Sequence, residues 1–110
     1  MAELTLEQAA RLAEEYGSRG LEKELAALRT EWDDELEAAA RDADYRVRSL
    51  AYRSVAQFRF RQKLELLRRG LDDESPGVRG SALIALEGLS RDHPGAHEPV
   101  GHLDLEAVAL

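Results

Sequence analysis

Residues 42–51 read DADYRVRSLA, and residues 73–82 read DESPGVRGSA. Set one above the other, they share Asp, Val-Arg and Ala at the same offsets, 31 positions apart. The match extends outward without a gap. Leu36 falls on Leu67, Asp42 on Asp73, Val47 on Val78, Arg48 on Arg79 and Ala51 on Ala82, and apolar character is kept from Val55 to Leu86 and from Phe58 to Leu89. A unit repeated at this period cannot bury its apolar stripe alone; a second copy stacked on it makes a continuous core. Each repeated residue has a mechanical reason. The aspartate stands in a turn, where it caps a helix or accepts from a neighbour. The valine fills the start of that helix, and the alanine lets two helices approach closely. The arginine fork suits a carboxylate of the adjacent repeat.

Composition agrees with helices. Hydrophobic residues make up 44% of the 110 and charged residues 34%, and Ala, Leu, Glu and Arg far outnumber the β-branched types. Thr5 and Gln8 form a capping box ahead of Leu6, Ala9, Ala10, Ala13 and Tyr16, and Gly17 offers a left-handed stop. Ser18 offers a cap for the next helix, whose stripe is Leu21, Leu25, Leu28, Trp32, Leu36 and Ala39 or Ala40. These steps suit one long helix. Thr30, with Glu31, Asp33 and Asp34 behind it, instead suits a new start, and the repeat favours that break. Residues 41–46 form a turn with Asp42 and Asp44 as candidate caps. Val47, Leu50, Ala51, Val55 and Phe58 mark one helix, and Phe60, Leu64, Leu67 and Leu71 mark another. Gly70 to Gly77 reads as a turn, with Pro76 opening a helix through Val78, Ala82, Leu83, Leu86 and Leu89.

The phrase Asp-x4-Val-Arg-x2-Ala-x3-Leu at this period resembles the HEAT-like repeat, in the short form found in phycobilin-lyase-related proteins. The resemblance covers residues 31–90. It implies an all-α fold, a short α-solenoid of antiparallel helical hairpins with about five or six helices. It also implies a scaffold or binding surface, with Arg48 and Arg79 as ladder residues tying layers together. The expected division is a single domain over 1–90 and a C-terminal linker and tail over 91–110. Within the domain, 1–30 would be a divergent capping hairpin and 31–90 two repeats. Two hairpins are fewer than the roughly three a solenoid needs, so residues 5–29 serve as the third or a homodimer covers the open end.

Charge is banded. Residues 1–44 carry 5 basic and 13 acidic side chains, residues 45–69 carry 8 and 1, and residues 70–110 carry 2 and 8, for a net charge of −7. The candidate binding surface lies in the middle band: Arg46, Arg53, Arg59, Arg61, Lys63, Arg68 and Arg69. Arg46 and Arg53 share a helix face, as do Arg61 and Arg68. Such a band either pairs with the acidic segments around it or takes an external partner. An acidic protein suits it better than nucleic acid, whose phosphates would meet repulsion from both acidic flanks.

Catalytic chemistry finds no foothold. The carboxylate pairs Glu14–Glu15, Asp33–Asp34 and Asp72–Asp73 stand where acids are ordinary, and Ser49, Ser54 and Ser81 have no histidine near them in sequence. The chain holds no cysteine, which excludes disulfides and thiolate metal sites. His93, His97 and His102, with Glu98 and Asp104, are metal-capable, but their spacing across Pro94, Gly95, Pro99 and Gly101 fixes no coordination geometry. No catalytic, cofactor or metal site is therefore expected. No secretory signal or membrane-spanning run is found, and a cytoplasmic interaction protein is expected. Trp32 reads as a core anchor or an exposed hot spot. The final LDLEAVAL, residues 103–110, reads as a cap on the last hairpin or as an end offered to a partner.

Overall fold

In a computed structural model of the chain, residues 3–92 are described. They form five α-helices and no strand: α1 (Leu6–Ser18), α2 (Glu22–Ala40), α3 (Tyr45–Phe58), α4 (Leu64–Leu71) and α5 (Pro76–Asp92), with a 3₁₀ turn at Arg61–Lys63 before α4. The expected all-α hairpin stack is present. The pairs α2/α3 and α4/α5 are the two hairpins, α3 packs along α5, and α1 lies against both α2 and α3. Ala56 and Gly88 face each other across α3 and α5, and Ser49 meets Ser81. Both contacts step by 32 residues, so the two helices run parallel in one register.

The core is one seam. Leu6, Ala9, Ala10 and Ala13 of α1 join Leu25, Leu28, Trp32, Leu36 and Ala40 of α2. Ala51, Tyr52, Val55 and Phe58 of α3 continue it to Val78, Ala82, Ala85, Leu86 and Leu89 of α5. Trp32 is a core anchor, 7% exposed.

Several local expectations are corrected. α2 runs unbroken through Thr30, whose hydroxyl donates to the Ala26 carbonyl at 3.1 Å within the helix instead of capping a new one. The cap on the first hairpin is therefore α1 laid on α2 and α3, and no hairpin ends at residue 30. Gly17 stays helical. The left-handed residue is Gly20 (φ 71°), and bonds from Gly20 N–H to Gly17 O and from Leu21 N–H to Tyr16 O close the α1 end. Ser18 does not cap α2; its hydroxyl donates back to Glu15 O. The α3 end repeats the Gly20 geometry without a glycine. Arg59 adopts φ 57°, its N–H reaches Ala56 O, and Phe60 N–H reaches Val55 O. A left-handed arginine costs about 1–2 kcal/mol, and the buried Phe58 and Phe60 rings, 5.5 Å apart, hold the chain there.

Gly70 belongs to α4 and not to the turn after it. A Cβ there would lie 2.8 Å from the Ala82 Cβ and 2.9 Å from the Tyr52 ring, so the missing side chain is what lets α3, α4 and α5 meet. In the second hairpin Phe60, ahead of the 3₁₀ turn, is buried with Leu66 and Leu67 of α4 and Val78, Ala82 and Ala85 of α5, whereas Leu64 and Leu83 are 45% and 42% exposed.

The repeat is visible bond by bond. Asp42 Oδ1 accepts from Asp44 N–H at 2.8 Å, and Asp73 Oδ1 accepts from Ser75 N–H at 2.9 Å. The N-caps are thus Asp44 and Ser75, each two residues past the repeated aspartate. Arg48 Nη1 donates to Asp42 O at 2.9 Å, and Arg79 Nη1 donates to Asp73 O at 2.7 Å. Ala51 and Ala82 are both fully buried. The valine slots share this backbone setting but differ in cover: Val78 is fully buried and Val47 only half-buried. A complete hairpin precedes α5, while only the single helix α1 precedes α3.

Candidate interaction surface

Two ionic arrangements hold the layers together. Arg48 spans from its own turn to the next hairpin, where Nε and Nη2 donate to the two carboxylate oxygens of Asp73, each at 3.0 Å. Both side chains are close to nine-tenths buried. The Arg48 guanidinium holds the Asp73 carboxyl below the usual range; partial burial opposes this, and the Ser75 N–H adds to it. Arg48 is in turn held above the ordinary arginine value by Asp73. Arg48 thus bridges the first hairpin to the second.

The second arrangement reassigns a residue. Lys63 belongs to the basic band, yet its side chain is 8% exposed, with Nζ 2.7 Å from both Asp33 Oδ1 and Glu37 Oε2. The ammonium also lies 5.0 Å from the centre of the Phe60 ring. Burial pushes its pKa down, but the hydrogen bonds to Asp33 and Glu37 outweigh it, and the net shift is upward. Lys63 joins the 3₁₀ turn to α2 from inside and is not free to meet a partner. Arg29, outside the band, does similar work: Nη1 donates to Phe58 O at 3.0 Å, satisfying an end carbonyl of α3.

The rest of the band is dispersed. Arg46 is engaged by its own cap, Asp44, with Nη2 3.1 Å from Oδ2, and Arg68 by Glu65 at 2.9 Å. Arg61 and Arg69 are exposed and make no ion pair among the described residues. Arg53 and Arg59 share one site. They line a groove of about 500 Å³ where α1, α3 and α5 meet. Its floor is small and apolar, from Leu50, Ala56, Ile84, Ala85 and Gly88, and α1 contributes Glu7, Arg11 and Glu14 to its rim. Ile84 is 59% exposed. Arg11, Arg53 and Arg59 form no ion pair among the described residues. The Arg59 guanidinium lies against Gly17, where a Cβ would come within 2.8 Å of Cζ. Sequence reading missed Arg11. Its signal was the i, i+4, i+7 run Glu7–Arg11–Glu14, opposite the apolar stripe of α1.

The histidines, and the tail from 93 onward, lie outside the described residues. Among those described, no group of three metal-ligating side chains forms, and no helix is long and apolar enough to cross a membrane.

Stacked hairpins in one register, bridged by the Arg48–Asp73 pair, define a helical-repeat protein. The family model for HEAT repeats matches residues 33–100, more than half of the chain, and the protein belongs to that family. The match passes the limit of 90 at which the sequence resemblance stopped. No curated protein and no solved structure matches the chain. HEAT repeats commonly mediate protein–protein interaction, and their fold is generally a non-catalytic scaffold.

Proposed function

We propose that the protein is a non-catalytic interaction module, a small cytoplasmic adaptor or subunit that holds an acidic segment of a partner protein in the groove between α1, α3 and α5. The observation that carries this reading is the pair Arg53 and Arg59, both without a carboxylate partner among the described residues, set beside an apolar floor containing the exposed Ile84. A segment alternating leucine with aspartate or glutamate seats its apolar side chains on Leu50 and Ile84. Its carboxylates reach the two guanidinium forks, whose planar geometry favours bidentate contact. Within the basic band, Arg53 and Arg59 are the binding pair, and Arg61 and Arg69 are bystanders.

Fluorescence anisotropy with a labelled acidic leucine-containing peptide tests this, alongside a labelled DNA duplex at low and moderate salt. Reversal of both groove charges, Arg53→Glu with Arg59→Glu, is expected to weaken peptide binding at least about tenfold, or about 1.4 kcal/mol. Arg61→Glu with Arg69→Glu is expected to leave it unchanged. Salt-sensitive duplex binding that depends on Arg61 and Arg69 would replace this reading with nucleic-acid recognition.

A further inference from the structure

The repeat step works as a ruler for the open end of the stack. Among the residues of the first hairpin that reach the second, Asp33 and Glu37 hold Lys63, Arg48 holds Asp73, Tyr52 packs on Gly70, and Ala56 faces Gly88. Advanced by 31, these positions become Leu64, Arg68, Arg79, Leu83 and Glu87. They form the face on which a further layer would rest. Its two leucines are 45% and 42% exposed, whereas Tyr52, one layer earlier, is 4% exposed. Arg79 repeats the bond to its own turn, Nη1 to Asp73 O at 2.7 Å. The carboxylate that Arg48 also holds has no counterpart for Arg79 among the described residues. Among the described residues, Arg68 is engaged only by Glu65, in an exposed pair. The face therefore asks for apolar side chains and an aspartate held in ladder register.

We propose that residues 103–110 of this chain, Leu-Asp-Leu-Glu-Ala-Val-Ala-Leu, cover this face, with Asp104 taking the Arg79 fork as Asp73 takes Arg48. Three features of the chain support it. Asp42, Asp73 and Asp104 stand at equal steps of 31. The segment carries two acids and no base and has a leucine on either side of Asp104, while the face presents Arg79 and Arg68, with one acid, Glu87, beside the apolar Leu64 and Leu83. The chain is long enough. From Arg79 to the end of α5 at Asp92 the helix advances about 20 Å, and the following twelve residues span up to about 40 Å. Neither charge complementarity nor reach requires a foreign partner.

The test is a charge exchange in the full chain, read by thermal unfolding and by sedimentation at two protein concentrations. Asp104→Lys alone is expected to lower Tm by roughly 4 °C. Arg79→Glu alone lowers it further, because the new carboxylate also loses the bond to Asp73 O. The two together are expected to lose clearly less than the sum of the singles, with the protein monomeric at both concentrations. Leu103→Ser is expected to speed amide exchange in the first turns of α5. A silent Asp104→Lys, a double variant no better than the sum of the singles, or recovery seen only where dimers form would each overturn the proposal. The last outcome would assign the face to a second copy.

Discussion

Replacing Phe58 by alanine is expected to lower the unfolding free energy by about 3–5 kcal/mol. Phe58 is fully buried at the end of α3, and its ring packs beside Phe60 where the chain leaves the first hairpin for the second. The truncation leaves a void at the left-handed Arg59, where those rings hold a costly backbone conformation. A domain of this size has a total stability of roughly 5–13 kcal/mol, so this one change brings it near the threshold. The Arg29 bond to the Phe58 carbonyl survives, because it is made to backbone. Urea unfolding checks the figure, and Phe58→Leu, which keeps most of the volume, is expected to cost less than about 1.5 kcal/mol.

Asp73→Ala is expected to cost about 2–3 kcal/mol and to flatten the acid limb of the stability profile. The residue accepts two bonds from Arg48 and one from Ser75 N–H, so its loss opens the ladder and loosens the start of α5 together. Arg48 holds the folded pKa of Asp73 below the usual carboxylate value. The unfolded chain therefore binds the proton more readily. The stabilisation is fully present above the unfolded value of about 3.9 and is lost as pH falls through the lower folded value. Lys63 has the opposite sign: its raised pKa contributes stability at neutral pH and up to the unfolded value of about 10.4, and this is lost as pH rises through the folded value. Urea midpoints measured between pH 7 and pH 2 are expected to fall for the parent chain and to change less for Asp73→Ala. Equal acid slopes would count against the ladder.

What could be read from the sequence was what repeats or recurs at short range. The aspartate–arginine phrase, the capping box at Thr5, the start of α5 at Pro76 and the stripe through Leu25, Leu28, Trp32 and Leu36 all follow from local chemistry. What escaped depends on groups far apart in the chain. Lys63 carries the same charge as its neighbours, and only Asp33 and Glu37, some 30 and 26 residues earlier, decide that it points inward. Gly70 resembles a turn glycine until Tyr52 and Ala82 are brought against it. Arg59 bears no mark of a left-handed residue, since tertiary packing of Phe58 and Phe60 imposes it. Thr30 had the composition of a cap, and the continuous stripe on α2 overrode it. The groove was half legible: Arg53 and Arg59 stood out by charge, but their neighbour Arg11 arrives on a different helix.

The stacking of two hairpins in parallel register is tested most directly by a cross-link between α3 and α5. Ser49 and Ser81 touch through their hydroxyls, and the chain has no cysteine of its own. Ser49→Cys with Ser81→Cys is expected to oxidise to an intramolecular disulfide in monomeric protein, because side chains in contact there meet the short Cβ separation a disulfide needs. Ser49→Cys with Leu83→Cys, two residues further along and on the exposed face, is expected to remain reduced. No bond in the first variant, or equal bonding in both, would contradict the stack.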